Sequence, residues 1–464
     1  MAQSDAQRKH AGREAGTRSE GHPESREVPL LTFATPTVEH PSSNFSPDDK
    51  PSWDLYSRCV HCGLCLDQCP TYRVLGTEMD SPRGRIYQML QVDEGRLALG
   101  ESFVTHIDRC LGCLNCQTAC PSGVQYGALL ESSRVQIEQN FRRPWLQRKV
   151  RDFFYGRVLP SFSKLSFWAK LVRFYQRSGL QSVARATGLL KLVGVEELDA
   201  LSPRIESDFS FRDLGQVFPA EGVQRGRVAL LIGCISSVAF AELNRATIRV
   251  LTRNGIEVSI PRTQSCCGAL HAHAGLIEQA RIQARRNIDA MLSPEVDAII
   301  TNAAGCGSTM KEYAAFLEHD PQYAERARQF VSKVRDITEY LAVIGLIEPK
   351  RMINRRVTYS DPCHLAHAQG IRKQPRDLLT AIGANLVDMP RADSCCGSAG
   401  VYNVVENELS MKILDEKMEY VAMVRPEIIA TANVGCMLQL AAGAKRKGLK
   451  AEVVHVVELL DRAY

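Results

Sequence analysis

The cysteines are the residues whose type and spacing could do chemistry. Sixteen occur in 464 residues, and eight of them fall in two runs of identical spacing. These are Cys59-x-x-Cys62-x-x-Cys65-x-x-x-Cys69-Pro70 and Cys110-x-x-Cys113-x-x-Cys116-x-x-x-Cys120-Pro121. Three cysteines at two-residue gaps wrap a tight loop around one 4Fe–4S cube, while the fourth, followed by proline, reaches a second cube. The spacing therefore assigns Cys59, Cys62, Cys65 and Cys120 to one cluster, and Cys110, Cys113, Cys116 and Cys69 to the other. Gly63 and Gly112 stand between ligands, where the backbone must approach and donate N–H groups to sulfur. Structural zinc is the bland alternative, but it uses separated pairs of ligands rather than four-cysteine runs with a trailing proline. Two adjacent cubes make a short wire for one-electron steps; a zinc-stabilised scaffold would carry none.

The other eight cysteines form a repeat. Cys234 is followed by Cys266-Cys267-Gly268 and then Cys306; Cys363 is followed by Cys395-Cys396-Gly397 and then Cys436. Equivalent positions lie 129 or 130 residues apart (363 − 234 and 436 − 306), which indicates a duplicated domain. Adjacent cysteines can both face one site if the following glycine permits the turn. These eight are candidates for a further iron–sulfur cluster or for redox chemistry, against buried inert thiols.

The elements that must position these residues follow from the hydrophobic pattern. In the first copy Val228 to Ile232, Ile256 to Ile260 and Val296 to Thr301 read as strands, alternating with helices at Ala239 to Arg253 and Ile282 to Leu292. In the second copy Arg356 to Tyr359, Leu386 to Met389 and Glu427 to Thr431 read as strands, with helices at Arg376 to Ile382 and Glu406 to Tyr420. Such alternation predicts α/β units with parallel sheets. Each cysteine site falls just after a strand, at the carboxyl edge where open α/β folds hold ligands. The expected organisation is a tail over residues 1–50, an α-helical two-cluster ferredoxin module over 51–140 and a basic, aromatic helical linker over 141–224. Two duplicated α/β domains follow, over 225–345 and 346–464, making an α+β and α/β multidomain chain. The tail is rich in Ser, Gly, Pro, Glu and Arg, too polar to offset chain entropy, and is expected to be disordered.

Other residues carry weaker signals. His364 and His367, beside Cys363, could ligate metal or pass a proton, or bond the backbone of their turn; His271 and His273 after the first CCG invite the same choice. Arg83 and Arg85 could hydrogen-bond cluster sulfur or pair with acidic neighbours, and pairing is the expectation. Asp361-Pro362 is expected to shape a turn. Residues 141–177 hold ten basic residues against one acid, Asp152, interleaved with ten aromatics. Trp145, Val150, Phe153, Phe154 and Val158 fall near helical spacing, a face for packing on the CCG domains, for docking flavoprotein subunits, or for an anionic membrane surface.

Composition excludes some classes. A net charge of +5 is small for this length and points to no nucleic-acid partner. No apolar signal core and no long apolar run is present, so a cytoplasmic chain with reduced, metal-binding thiols is expected, at most peripheral on the inner face of the membrane. With no P-loop, no G-x-G-x-x-G after a strand and no serine elbow, the chain is not expected to bind nucleotide or flavin itself, and no catalytic residue is assigned.

The chain resembles the iron–sulfur subunits of glycolate oxidase (glycolate dehydrogenase) over about residues 50–464. The resemblance is carried by CVHCGLCLDQCPTYR at 59–73, SPRGRI at 81–86, CLGCLNCQTACPSGV at 110–124, CCGALHAHAG at 266–275, DPCHLAHAQGIRKQPRDLL at 361–379 and CCGSAGVYN at 395–403. It implies two 4Fe–4S clusters and two cysteine-rich CCG domains. It also implies flavoprotein partners whose FAD oxidises glycolate (or D-lactate) to glyoxylate (or pyruvate), with electrons passed onward, quinone being one acceptor. Related subunits serving lactate or glycerol 3-phosphate dehydrogenases share the cysteine frame. The CCG domain of heterodisulfide reductase, where thiol–disulfide chemistry occurs, ends its pattern in C-x-x-C and holds a non-cubane cluster. Here Thr309 and Gln439 stand at the last position, leaving an ordinary cluster, a partly open site or no metal as alternatives.

Overall fold

The structure, a computed structural model, describes residues 43–47, 49–192, 194, 196, 199 and 202–464. Most of the segment read as a tail, residues 1–42 and 48, lies outside the described residues. Asn44 N donates to the Val92 carbonyl at 3.2 Å, and Phe45 is buried against Phe103.

The ferredoxin-type segment is helical, as expected. Helix Pro82–Asp93 starts with proline at a position whose N–H would be unpaired anyway, and Ser81 caps it, its hydroxyl accepting from Gly84 N at 2.9 Å. Gly84 has no alternative, because a Cβ there would sit 1.9 Å from the Glu78 carbonyl oxygen. The stripe Ile86, Met89 and Val92 meets Phe103 and Ile107 of helix Glu101–Asp108 and Leu129 and Ile137 of helix Tyr126–Asn140. Full burial of such side chains stabilises by about 1.5–3 kcal/mol each. That core is the rigid base on which both cysteine loops sit.

Helices Trp145–Phe153 and Phe162–Arg177, joined by a π-turn at Phe154–Val158, lead through Leu180–Ala186 and Leu189–Leu192 to the duplicated half. There the strands are β1 Val217–Phe218, β2 Gly226–Leu231, β3 Ile256–Ser259, β4 Ala298–Thr301 and β5 Val334–Asp336, then β6 Arg356–Tyr359, β7 Asn385–Leu386, β8 Ile428–Thr431 and β9 Glu452–His455. The first sheet has the order β1-β3-β2-β4-β5 and the second β7-β6-β8-β9. All pairings are parallel except that of β1, which runs antiparallel to β3. Without β1 the two orders are the same, so the duplication read from the cysteines is a duplication of topology.

The predicted strands and helices are present, with one shift. The strand expected over Leu386 to Met389 ends at Leu386: Val387 N still reaches the Val357 carbonyl at 2.8 Å, but the chain then turns through Pro390 towards the cysteines. The pattern reading did not include β1, β5 and β9. The repeats pack through helices Ala241–Arg253 and Val456–Ala463, which share a core of Leu243, Val250, Val457 and Leu460, with Asp461 pairing Arg249 and Arg253 at 2.7 and 3.0 Å.

Candidate metal centre

The two cysteine runs fold into loops whose turns need left-handed backbone: Gly63 (φ 85°), Gly112 (φ 64°) and, without glycine, His61 (φ 53°) and Leu114 (φ 61°). The loops enclose two adjoining cavities. The first is lined by Cys59, Cys62, Cys65 and Cys120, and the second by Cys69, Cys110 and Cys113, with Cys116 and Tyr126 in the wall between them. The cavities differ in exposure: Cys62 is exposed beside Val60 and Leu64, whereas all four cysteines assigned to the second cluster are buried. Gly112 N points at Cys110 Sγ (3.4 Å), the kind of N–H donor expected around cluster sulfur.

Arg83 and Arg85 find the expected acidic partners, and Arg85 does more. Arg83 pairs with Glu78 at 2.7 Å and its Nη1 donates to the His61 carbonyl, bracing the first loop. Arg85 is fully buried in the wall of the second cavity. It donates to the His106 carbonyl at 2.7 Å, to Thr71 Oγ1 at 3.1 Å and to Asp80 at 3.2 Å, and its Nη1 lies 4.0 Å from Cys69 Sγ.

In each repeat the four cysteines converge at the carboxyl edge of three contiguous parallel strands. Cys234 follows β2, Cys266 and Cys267 follow β3, and Cys306 follows β4; Cys363, Cys395 with Cys396, and Cys436 follow β6, β7 and β8. Cys266 Sγ lies 3.5 Å from Cys234 Sγ, and hydrogen-bond contact continues from Cys266 to Cys267 and on to Cys306. The chain Cys363–Cys395–Cys396–Cys436 matches it in the second repeat. The electrostatics differ. The hydrogen bond with Cys266, then burial, pushes the Cys234 thiol well up. Hydrogen bonds from Cys395 and Cys436 hold Cys396 well below the ordinary thiol value, helped by Lys417. Gly397 (φ 89°) is required beside these thiols, since a Cβ would stand 2.6 Å from the Ser410 carbonyl oxygen. Among the described residues no three His, Cys, Asp or Glu side chains are grouped to hold a single metal ion.

The histidines separate. His367 bonds Thr118 Oγ1 (3.1 Å) and the Asp393 carbonyl (3.0 Å), and His271 bonds the Tyr155 carbonyl (2.9 Å), so both brace backbone and neighbouring segments. His364 Nδ1 lies 3.5 Å from Cys363 Sγ. Its ring faces that of His273 at 5.2 Å, and His273 in turn bonds Glu131 at 3.2 Å. Asp361 holds Arg376 through two 2.7 Å bonds and so fixes the turn before Cys363. The sequence reading missed Lys417, Glu131 and Tyr126; for Lys417 the internal repeat held a signal, because the equivalent position in the first copy, 130 residues earlier, is the uncharged Asn287, which bonds Ser265 N and the Cys266 carbonyl.

The linker face divides: Val158, with Phe154 against it, packs on the first CCG repeat, while Trp145, Val150 and Phe153 do not. Tyr155, Val158, Leu159, Leu165 and Ala169 join the core of the first repeat, but Trp145, Val150, Phe153, Phe167, Trp168 and Phe174 are exposed, as are Arg142, Arg148, Lys149, Lys164 and Lys170. No helix among the described residues is long and apolar enough to cross a membrane.

Fold and cysteine frame together define an iron–sulfur protein in which a dicluster module is joined to a duplicated cysteine-rich α/β domain. Residues 56–124 match the 4Fe-4S dicluster domain, residues 228–311 and 357–441 each match the cysteine-rich domain CCG, and residues 146–202 match the linker region of the glycolate oxidase iron-sulfur subunit. The chain is 40% identical over 413 residues to the "Probable glycolate oxidase iron-sulfur subunit" of Bacillus subtilis (strain 168), covering 87% of this chain and 93% of that one. It is 34% identical over 417 residues to the "Glycolate oxidase iron-sulfur subunit" of Escherichia coli (strain K12), with the same coverages. "Lactate utilization protein A" of Oceanobacillus iheyensis is 29% identical over 237 residues, 51% of this chain and 96% of that protein. The chain belongs to the glycolate oxidase iron-sulfur subunit family.

Proposed function

We propose that this chain empties a partner flavoprotein one electron at a time, the partner's FAD having taken two electrons from glycolate. The observation that carries the reading is the pair of adjoining cavities, each walled by the four cysteines of one spacing-derived set. Bound in them, 4Fe–4S cubes would supply one-electron acceptors whose potentials the protein sets through hydrogen bonds, burial and nearby charge. Cys59, Cys62, Cys65 and Cys120 would hold the first, and Cys110, Cys113, Cys116 and Cys69 the second. The exposed Val60, Cys62 and Leu64 make the first the side on which a flavoprotein docks. We place the division of the chain at 51–140, 141–224, 225–345 and 346–464.

The exposed aromatics and cations of the linker fit an anionic lipid surface, where Trp and Phe enter the interface and Lys and Arg meet headgroups. This favours a peripheral position on the cytoplasmic membrane, with quinone as the acceptor. The test is purification of the chain with its co-expressed flavoproteins, followed by quinone or dye reduction with glycolate, D-lactate and glycerol 3-phosphate. Turnover with glycolate well above the other two supports the reading. Preference for glycerol 3-phosphate, or copurification of no flavoprotein, overturns it.

A further inference from the structure

The two ferredoxin cavities differ in what meets their sulfurs. Tyr126, the first residue of helix Tyr126–Asn140, is buried in the wall that both cavities share. Its hydroxyl lies 3.4 Å from Cys110 Sγ, its one hydrogen-bond partner among the described residues. A thiolate that ligates iron carries no proton, so the phenol is the donor. Thr71 beside Cys69 is less committed. Its single proton has two acceptors, Cys69 Sγ at 3.1 Å and the Asp80 carbonyl at 3.0 Å, while Arg85 Nη1 donates to its oxygen.

The first cavity has a different set of donors. The sulfurs of Cys59 and Cys65 meet backbone N–H groups, at His61 and Arg83. The Arg83 guanidinium is turned to Glu78 and the His61 carbonyl. Exposure differs in the opposite sense: Cys62 is exposed, whereas Cys69, Cys110, Cys113 and Cys116 are all buried. Reduction adds negative charge, which burial disfavours, so burial alone sets an inner cube on the second set below an outer cube on the first in potential. A donor to ligand sulfur acts the other way, because it bonds the more negative, reduced state more strongly.

We propose that Tyr126 sets the potential of the inner cube: its O–H···S bond to Cys110 offsets that cube's burial and keeps it reducible by the outer one. Arg85 supplies charge to the same cavity but has Asp80, Thr71 and the His106 carbonyl as partners; the Tyr126 proton is given to sulfur alone. One electron leaves the outer cube as the inner cube is reduced, no bond is made or broken, and the phenol keeps its proton. Phenylalanine at this position keeps the shared wall and removes only the donor. The inference rests on the two-cube reading and deepens it.

The experiment is a redox titration of the anaerobically purified full-length chain, each cube's midpoint read by electron paramagnetic resonance and loading checked by iron and acid-labile sulfide. The outer cube is told from the inner by the faster relaxation that a soluble paramagnetic complex induces in it. The wild type is compared with Tyr126→Phe, with a fluorinated tyrosine at position 126, whose more acidic phenol is a stronger donor, and with Tyr402→Phe. Tyr402 is also buried, but its hydroxyl bonds the Arg109 carbonyl at 3.0 Å and no sulfur. Tyr126→Phe should shift the inner cube's one-electron equilibrium about tenfold towards the oxidised form, a fall of about 59 mV, with the outer midpoint and the iron content unchanged. The fluorinated residue should raise the inner midpoint, and Tyr402→Phe should move neither. An inner midpoint that is unchanged or raised in Tyr126→Phe, or two midpoints that fall together, overturns the role of Tyr126. If Tyr126→Phe fails to load iron, the fluorinated chain decides, and an inner midpoint that does not rise there overturns the role as well. Fewer than about eight irons per wild-type chain, with no reduced-cube signal, sinks the two-cube reading itself.

Discussion

Replacing Arg85 by methionine removes the one fully buried guanidinium in the wall of the second ferredoxin cavity, and two quantities should move. The first is stability. Breaking a buried ion pair by removing one partner costs about 3–5 kcal/mol, because the other charge is left uncompensated. Here Asp80 keeps His106 at 3.1 Å and Arg109 at 3.6 Å, so the lower end, about 3 kcal/mol, is expected. The second is the potential of the centre beside Cys69, whose Sγ lies 4.0 Å from Arg85 Nη1. At that distance and an effective dielectric of about 20, a unit charge is worth about 4 kcal/mol. An added electron spread over a whole cube feels less, about 1–2 kcal/mol, or roughly 40–90 mV for one electron. Chemical denaturation measures the first quantity, and a redox titration followed by electron paramagnetic resonance the second. The Asp80→Asn/Arg85→Met double variant should recover most of the stability. An Arg85→Met protein as stable as the wild type, or with that midpoint unchanged or raised, would refute the role of this cation.

Three further outcomes are expected. His455 caps helix Val456–Ala463, its Nδ1 accepting from Val457 N at 3.1 Å, and burial pushes it down to about 4. The unfolded chain therefore binds the proton first: the contribution is whole above about pH 6.5 and is lost as pH falls towards 4, about 2 kcal/mol by pH 5. The wild type should lose that much more stability between pH 7 and 5 than His455→Asn does, and equal losses would contradict the assignment. Gly275 (φ 79°) meets the ferredoxin helix so closely that a Cβ would lie 2.3 Å from the Arg134 carbonyl oxygen. Gly275→Ala should cost about 3 kcal/mol by denaturation, from left-handed strain and overpacking together. Combined replacement of Trp145, Phe167 and Phe174 by serine should reduce sedimentation with anionic vesicles at least tenfold while leaving the iron content unchanged; equal binding would remove the membrane face.

Legibility tracked how locally each feature is encoded. The ligand runs are read within a dozen residues, and the repeat is read from intervals between cysteines, so both stood out. The strands β2, β4 and β8 are built on apolar runs (228–231, 298–300 and 428–430) buried on every residue, and were equally plain. β1, β5 and β9 have only two to four residues each and take their strand geometry from a neighbour already in place. Lys417 was hidden for another reason. It sits in the sequence Asp415-Glu-Lys-Met-Glu419, which reads as a solvated helix face, and only the packing of its helix under the Arg391–Ser394 loop buries it. The linker shows the reverse: its aromatics look like core, yet Trp145 is 70% exposed and Phe174 64%. Sequence reports amphipathicity but not which surface covers it.

Electron passage through the ferredoxin cysteines is tested most directly by freeze-quench electron paramagnetic resonance of the assembled complex mixed with glycolate. Reduced-cube signals should rise at least as fast as turnover in the wild type. In Cys65→Ser they should be diminished and quinone reduction should fall by orders of magnitude while the flavin is still reduced. If the flavin is reduced and then reoxidised by quinone at the wild-type rate in Cys65→Ser, or the cubes stay oxidised throughout turnover, the chain is not the wire.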